Sequence, residues 1–224
     1  MSEILEIMKR RHSVRRYKDI PISEEHIRAL GECIDEINRD ADMSFQLVLN
    51  EREAFSSRLA HYGRFEGVSN YFALVGKRCD GFDERIGYYG EKLVMRCHEL
   101  GLHTCWVALT YKKVPGAFSV ERGEKFSVVI SVGYGKNRGL PRPSKTPEEV
   151  SNVTADSPEW FVRGVEGALT APTAMNQQRF YLRYNGDGTV SAKARLGFYT
   201  RMDLGIVKYH FELAAGKENF RWRA

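Results

Sequence analysis

The sequence has few cysteines and no long apolar run, and each scarcity argues against a class of protein. Its 224 residues contain four cysteines without CxxC spacing, so we expect no disulfide framework. No segment approaches the roughly 18 consecutive apolar residues of a transmembrane helix, so we expect no membrane partner. The first residues lack an apolar core and a small-residue cleavage site, which predicts no signal peptide. A cytoplasmic location is therefore the expectation.

One group of residues in the middle of the chain has the side chains of a metal site: Cys97, His98, His103 and Cys105. The expected order, a helix followed by a strand, would place these side chains on different faces. No carboxylate or second pair completes a ligand set, so we interpret them as packed residues and predict no metal.

The excess of positive charge is local. The formal net charge is +5 and the isoelectric point is about 9.0. Residues 9–18 hold six basic side chains, one aromatic residue and no acidic residue. A short cluster of this kind suits a single phosphate better than a long polyanion, and one aromatic residue is little for stacking bases. We predict no nucleic-acid partner, and a basic nucleic-acid-binding module is the alternative.

Apolar periodicity and turn residues predict a mixed order of helices and strands. Helices are expected from Ser2 to about Arg11, from a Ser23 cap onward, over 87–100, from a Ser157-Pro158 start, and over 199–215. Strands are expected at 45–50, 71–77, 104–108, 126–132, 180–184 and 190–194, the last two joined by the hairpin turn 185–188. Residues 51–70 and 133–147 are expected to be irregular.

This order contains a weak internal repeat. The two capping serines, Ser23 and Ser157, lie 134 residues apart, and the strand-ending Asn50 and Asn185 lie 135 apart. The offset between the glycines that end the later helices is 115, so the second copy is shorter. The pattern predicts two related αβ halves, 1–150 and 151–224. Chance similarity between two αβα units is the alternative.

The first motif with chemical potential is Arg-His-Ser-Val-Arg at residues 11–15. Arg11 can bind phosphate oxygens through its planar fork, Ser13 adds a hydroxyl donor, and His12 adds a ring donor. Arg15 lies two residues beyond Ser13, on the same side of an extended chain, so both can reach one ligand. The alternative is a solvated basic helix end, which the helix dipole also favours.

The second motif, Ala-Pro-Thr-Ala-Met-Asn-Gln-Gln-Arg-Phe, occupies residues 171–180. Pro172 and Thr173 bend the chain, while Asn176 and Gln178 offer side chains that can bond a ligand or the turn itself. A plain polar turn between a helix and a strand is the alternative.

Together these motifs resemble the nitroreductase family of FMN enzymes. The resemblance implies that Arg11 and Ser13 bind the FMN phosphate, with His12 beside them, and that Arg15 stabilises negative charge at the N1–C2=O end of the reduced ring. It also implies that the second motif contacts the flavin ring. Its departure is Arg179-Phe180, where the family has Pro-Trp.

Two further segments resemble the same family. Residues 101–110 are similar to a Gly-Leu-Gly-x-x-Trp segment, which implies that Leu109 and Thr110 lie near flavin N5, although the glycines usual after the Trp are absent. Residues 144–150 are similar to a late basic segment, which implies a phosphate contact from Lys145, with Arg142 as the weaker match. A solvated loop is the alternative for both.

The resemblance implies an α+β flavoprotein of nitroreductase-like fold in which both halves of a dimer are fused. We expect a monomeric pseudo-dimer with one FMN site per chain, built between residues 1–150 and 151–224. The implied reaction takes hydride from NADH or NADPH to FMN and then reduces a nitroaromatic, quinone or similar small acceptor. No catalytic acid or base is predicted. The alternative is a flavin-binding or sensor protein without catalysis.

Overall fold

The fold is a mixture of helices and sheets, seen in a computed structural model that describes residues 3–223, apart from the side chains of Leu59 and His61. The helices of the described residues are α1 (Glu3–Arg10), α2 (Glu24–Ala41), α3 (Arg58–Tyr62), α4 (Phe82–Glu99), α5 (Pro147–Val150), α6 (Glu159–Thr170) and α7 (Thr200–Ala215). The strands are β1 (Gln46–Val48), β2 (Tyr71–Lys77), β3 (His103–Val107), β4 (Glu124–Gly133), β5 (Phe180–Tyr184), β6 (Thr189–Ala194) and β7 (Arg221–Trp222). Ser2, where the sequence predicts the first helix to begin, lies outside the described residues.

The chain forms two compact units, and neither is continuous in sequence. The C-terminal unit contains residues 1–10, 83–91 and 141–224, and the central unit contains residues 11–82 and 92–140. Helix α4 is divided between the two units: residues 83–91 belong to the C-terminal unit, and Phe82 and residues 92–99 belong to the central unit. The sequence predicts two duplicated halves that meet at residue 150. Compact units are a different kind of division, so this boundary stays a prediction.

The central unit is built on a four-stranded antiparallel sheet of order β1-β2-β4-β3. Six of the seven residues of β2 are buried, and only Lys77 at its end is exposed, as expected for a strand covered on both faces. Helix α2 begins where the sequence predicts, because the Ser23 hydroxyl accepts a hydrogen bond from the His26 backbone N–H at 3.3 Å.

The C-terminal unit has a three-stranded sheet of order β5-β6-β7, in which β6 and β7 are parallel. Helices α6 and α7 pack closely because two glycines of α6 leave room for α7. A Cβ on Gly164 would overlap the Phe211 ring, 2.6 Å from its Cζ, and one on Gly167 would lie 2.9 Å from the His210 carbonyl oxygen. Phe211 and Phe220 continue this core as an edge-to-face pair with centroids 5.0 Å apart.

Helices α4 and α7 meet at a pair of glycines whose contacts are reciprocal. A Cβ on Gly87 would overlap the carbonyl group of Met202 and approach the nitrogen of Ile206 to 3.2 Å. A Cβ on Gly205 would overlap the carbonyl group of Glu84 and approach the nitrogen of Tyr88 to 2.7 Å. Each position on α4 matches one on α7 that lies 118 residues later. Reciprocal contacts of this kind are the mark of a local two-fold relation.

Two sequence predictions about local structure were wrong, and one strand was missed. The region 51–70 is not uniformly irregular, since it contains a 3₁₀ turn at Glu53–Phe55 and helix α3. Ser157 does not cap α6: its hydroxyl accepts from the Thr154 backbone N–H at 2.9 Å, and Pro158 occupies the cap position. Strand β7 was not predicted, because two residues carry no readable alternation.

Two further observations concern metal binding and membrane spanning. Cys97 and Cys105 are buried. Among residues 3–223, no group of three or more His, Cys, Asp and Glu side chains could hold a metal ion. No helix in the described part of the chain combines the length and the apolarity that spanning a bilayer needs.

Candidate functional site

In the central unit, the first motif leaves α1 as extended chain and lies along strand β3. Ser13 forms a parallel bridge with Thr104, and the Val14 backbone N–H donates to the Thr104 carbonyl at 2.9 Å. The buried Tyr17 anchors the segment, since its hydroxyl donates to the Val14 carbonyl at 2.7 Å and lies 2.8 Å from Ser131 Oγ. Burial raises the Tyr17 pKa well above its usual range, so the phenol stays protonated.

Three candidate residues of this motif, Arg11 and Ser13 for the phosphate and Arg15 for the flavin ring, act on one buried thiol. Burial raises the pKa of Cys105, while the positive charge of Arg15, a hydrogen bond with Ser13 and the positive charge of Arg11 act in the opposite direction. Arg11 itself is only 5% exposed. Ser13 therefore contacts β3 directly, and the charges of Arg11 and Arg15 act on the same buried residue of that strand.

His12 lies beneath a glycine-containing loop. Gly139 has φ of +80°, and a Cβ there would lie 2.5 Å from the His12 Cβ and 3.1 Å from the Ser13 carbonyl oxygen. This close approach and the left-handed backbone both require glycine. The loop 133–140 is therefore held against the motif.

Arg15, at the end of the motif, and Arg16, directly after it, are both exposed but have different surroundings. Arg16 pairs with Glu66 at 2.7 Å, and Lys136 pairs with the same carboxylate at 2.6 Å. These two cations lower the Glu66 pKa through their hydrogen bonds. Arg15 instead lies over the Phe65 ring, 5.9 Å from its centroid. Arg16 is thus partly neutralised, whereas Arg15 contributes its charge near Ser13.

Leu109 and Thr110 follow the end of β3, the strand that carries Thr104 beside Ser13. Leu109 is 68% exposed. Thr110 packs against Gly63, where a Cβ would lie 2.7 Å from the Thr110 Oγ1. Both candidates therefore belong to the central unit with the first motif, and their place beside flavin N5 stays a prediction.

The second set of candidates lies in the C-terminal unit, on the turn between α6 and β5. Met175, Asn176 and Gln178 all have left-handed backbone, with φ of 51°, 54° and 44°. Non-glycine residues in this region are strained and persist only where surrounding contacts hold them. Such strain is concentrated at functional sites in proteins.

Gln178 is the residue that ties this turn to the preceding loop. It is 2% exposed, and its Nε2 donates to Ser144 Oγ and to the Leu169 carbonyl, both at 3.1 Å. Its Oε1 accepts from the Lys145 backbone N–H at 2.8 Å, and Lys145 Nζ donates to the Gln178 carbonyl at 3.0 Å. Lys145 and Gln178 are therefore brought together and bonded to each other.

Thr173 and Asn176 have separate tasks in the turn. Thr173 Oγ1 accepts from the Gln178 backbone N–H at 3.1 Å, and Pro172 beside it is buried. Asn176 Nδ2 donates to the Pro143 carbonyl at 2.7 Å. Asn176 Oδ1 is buried and has no hydrogen-bond partner among the described residues. A buried acceptor left in this way calls for a ligand donor or water.

Sequence reasoning missed Asp203, which lies on α7 and holds the same turn. Asp203 is 4% exposed; its Oδ1 accepts from the Ala174 backbone N–H at 2.9 Å and its Oδ2 accepts from Gln177 Nε2 at 3.1 Å. Burial raises its pKa to about 6 against these bonds and the nearby Arg142 charge. Arg142 donates to the Thr170 carbonyl at 3.1 Å and to the Ala171 carbonyl.

A second buried polar group was also missed. His210 Nε2 lies 2.8 Å from Glu91 Oε1, and His210 Nδ1 lies 2.8 Å from Thr170 Oγ1. The single Thr170 hydroxyl proton is directed at the Gly167 carbonyl at 2.7 Å. All three contacts are satisfied when Nδ1 carries a proton directed at Thr170 and one further proton lies between Nε2 and the Glu91 carboxyl group. No local pattern could reveal this pair, because its members lie 119 residues apart.

Known proteins with this arrangement of elements define its class as nitroreductase-like. A Thermotoga maritima protein described as a nitroreductase aligns over 97% of this chain and 85% of its own, with a TM-score of 0.68 and 21% identity. A Desulfovibrio desulfuricans protein of similar description, solved with FMN, aligns over 70% of this chain and 98% of its own, with a TM-score of 0.54 and 16% identity. A Streptococcus pneumoniae nitroreductase family protein has a TM-score of 0.53 and 14% identity, over 66% of this chain and 98% of its own.

A family model refines this class. The model of the family described as "Putative TM nitroreductase" matches residues 3–215, and the chain belongs to this family. None of the curated proteins compared with the chain matches its sequence. Family membership and the nitroreductase-like fold support an oxidoreductase.

Proposed function

We propose that this protein is an FMN-dependent oxidoreductase that passes electrons from NADH or NADPH to a nitroaromatic, quinone or similar small acceptor. The observation that carries this proposal is that Arg11, Ser13 and Arg15 all act on the buried Cys105 of β3, with Ser13 bridged to Thr104. The guanidinium group of Arg11 and the hydroxyl of Ser13 are donors suited to a phosphate. The FMN named in the description of the Desulfovibrio protein supports the same cofactor.

The residues present fit this cofactor on two counts. The cationic group described above suits its phosphate. The buried, unpartnered Asn176 Oδ1 suits an N–H donor, and FMN offers one at the pyrimidine edge of its ring. When bound, FMN supplies two-electron transfer chemistry, while the protein orients the ring and tunes its charge. By the family resemblance, Arg15 would stabilise negative charge on the reduced ring.

A separate comparison bears on the electron donor. A Clostridium acetobutylicum protein described as an NADH oxidase aligns over 67% of this chain and 99% of its own, with a TM-score of 0.50 and 17% identity. This description favours a nicotinamide donor. We nominate no side chain as acid or base, because hydride transfer between bound rings needs none.

We further propose that the chain is an internal pseudo-dimer, monomeric and with one flavin site. With the five-residue helix α3 between β1 and β2 set aside, the order helix, strand, strand, helix, strand occurs at α2-β1-β2-α4-β3 and again at α6-β5-β6-α7-β7. The reciprocal contacts of Gly87 and Gly205 support a two-fold relation between α4 and α7, which hold corresponding places in these two runs.

The second position that such a relation creates keeps only part of the residue set. Counted by the offset of the capping serines, Lys145 corresponds to Arg11, Pro147 to Ser13 and Glu149 to Arg15, and the Glu149 carboxylate accepts from the Thr146 backbone N–H at 2.8 Å. Proline offers no hydroxyl donor to a phosphate, and a carboxylate in the place of Arg15 would disfavour negative charge on a reduced ring. The segment that corresponds to the second motif, residues 40–44, carries Asp40 and Asp42 and no Pro-Thr turn.

The test is to purify the protein, record its visible spectrum and measure released FMN per chain, with the mass of the particle from light scattering. One FMN on a monomer is the expected result. Two FMN per chain would refute the single site. No binding in excess FMN would refute the cofactor.

A further inference from the structure

Among the described residues, two charged side chains outside the strained turn at 174–178 bond to it: Lys145 at the Gln178 carbonyl, and the buried Asp203, which anchors the start of the turn. The turn's three left-handed residues cost free energy, so contacts must hold them. Asp203 bonds both the Ala174 backbone N–H and the Gln177 side chain, and its own backbone N–H donates to the Tyr199 carbonyl at 2.9 Å. Tyr199 is itself left-handed, with φ of 55°.

Only an ionised carboxylate satisfies this arrangement in full. Both partners, Ala174 N–H and Gln177 Nε2–H, are donors, so Asp203 must offer two acceptor atoms. Gln177 cannot rotate its amide to compensate, because its Nε2 also donates to the Phe198 carbonyl. An amide or a protonated acid at position 203 would therefore set a donor against a donor.

The ionised form of Asp203 costs the folded protein stability, because the carboxylate is buried. Asp203 is almost fully buried, and burial raises its pKa to about 6. Arg142 supplies the positive charge that acts against this rise, together with the bonds from Ala174 and Gln177. A carboxylate that is costly to ionise and yet fully bonded to a strained turn indicates selection for the geometry of the turn.

We propose that Asp203 is a positioning residue whose carboxylate holds the 174–178 turn in the conformation that binds the flavin, so that flavin affinity depends on its ionisation. This proposal rests on the proposed function, since it takes the turn to contact FMN. Above about pH 6 the carboxylate is ionised and the turn is held. Below that pH the carboxyl group carries a proton, one donor loses its acceptor, and affinity falls.

The experiment is an FMN titration by fluorescence quenching from pH 5 to 8, on the wild type and on Asp203→Asn. At pH 7.5 we expect the variant to bind about tenfold more weakly, the order of effect of one hydrogen bond to a charged group. At pH 5 the two affinities should converge. The FMN phosphate titrates in the same range in both proteins, so the difference between the two profiles isolates Asp203. Asp187→Asn, in the exposed hairpin, is the matched control.

A second readout needs no flavin. Arg179 is exposed directly after the turn, so tryptic cleavage there reports how firmly the turn is held. We expect Asp203→Asn apoprotein to be cleaved several-fold faster at pH 7.5 than the wild type or Asp187→Asn. Parallel FMN profiles for wild type and Asp203→Asn would overturn the proposal.

The two readouts separate the two proposals. If neither protein binds FMN but the variant is cleaved faster, the proposed cofactor is wrong and the positioning role of Asp203 is retained for another ligand. If cleavage and FMN affinity are both unchanged, the positioning role is wrong and the flavin function stands.

Discussion

Replacement of Gly205 by alanine tests how closely α4 and α7 pack in the C-terminal unit. A Cβ at this position would overlap the backbone of Glu84 and lie 2.7 Å from the Tyr88 nitrogen. Backbone atoms of a packed helix cannot move aside as a flexible side chain can, so α4 and α7 must separate. Overpacking in a close contact costs 1–3 kcal/mol as a rule, and we expect about 3 kcal/mol here.

The corresponding change in melting temperature is large enough to measure without ambiguity. For a domain of this size, 1 kcal/mol shifts the melting temperature by about 2–4 °C, so Gly205→Ala should lower it by about 6–12 °C. The assay is thermal unfolding of the apoprotein followed by circular dichroism. Gly31→Ala is the control, because Gly31 lies within α2 and a Cβ there meets nothing within 4 Å. That control should stabilise by about 0.5–1 kcal/mol.

The reciprocal contact makes a sharper demand on the same experiment. Gly87→Ala should destabilise by an amount similar to Gly205→Ala, because its Cβ would overlap the equivalent backbone on α7. The double variant should cost less than the two single changes added together, since either alone already separates the helices. A Gly205→Ala protein that melts within 1 °C of the wild type would refute the reasoning, and unequal single variants would refute the two-fold relation.

Three other predictions concern charge. Arg11→Ala should weaken FMN binding at least tenfold by fluorescence titration, while the exposed neighbour Arg10→Ala should change it little; equal effects would remove the phosphate role of Arg11. His210→Ala should lower the free energy of unfolding in urea by about 3–5 kcal/mol, because it strips a buried carboxylate, Glu91, of its partner, and a loss below 1 kcal/mol would contradict this. Asp203 makes the wild type lose stability as pH rises from about 4 to 6: its folded-state pKa of about 6 exceeds the usual 3.8, so the folded state binds more protons there, and the loss is at most about 3 kcal/mol. In unfolding experiments across that range, Asp203→Asn should lack this part of the slope, and identical slopes would show that the carboxylate is not buried as described.

Local pattern was sufficient for the longer helices and strands and for the two motifs, but not for the short elements α3 and β7. Strands β2 and β5 lie where apolar runs predict them, and α2 begins at its Ser23 cap, because strand burial and capping are decided by neighbouring residues. The resemblance of residues 11–15 and 171–180 to nitroreductase motifs is confirmed at the level of the family. The role of each residue in those motifs stays a prediction.

Tertiary structure alone decided which distant groups meet. Asp203 reaches Ala174 across 29 residues of sequence, and Glu91 reaches His210 across 119. It also decided that α4 and α7 cross at Gly87 and Gly205, a contact that sequence spacing cannot distinguish from ordinary helical glycines. The physical reason is the same in each case: periodicity and capping record interactions within a few residues, whereas buried charge pairs and helix crossings depend on how whole elements pack.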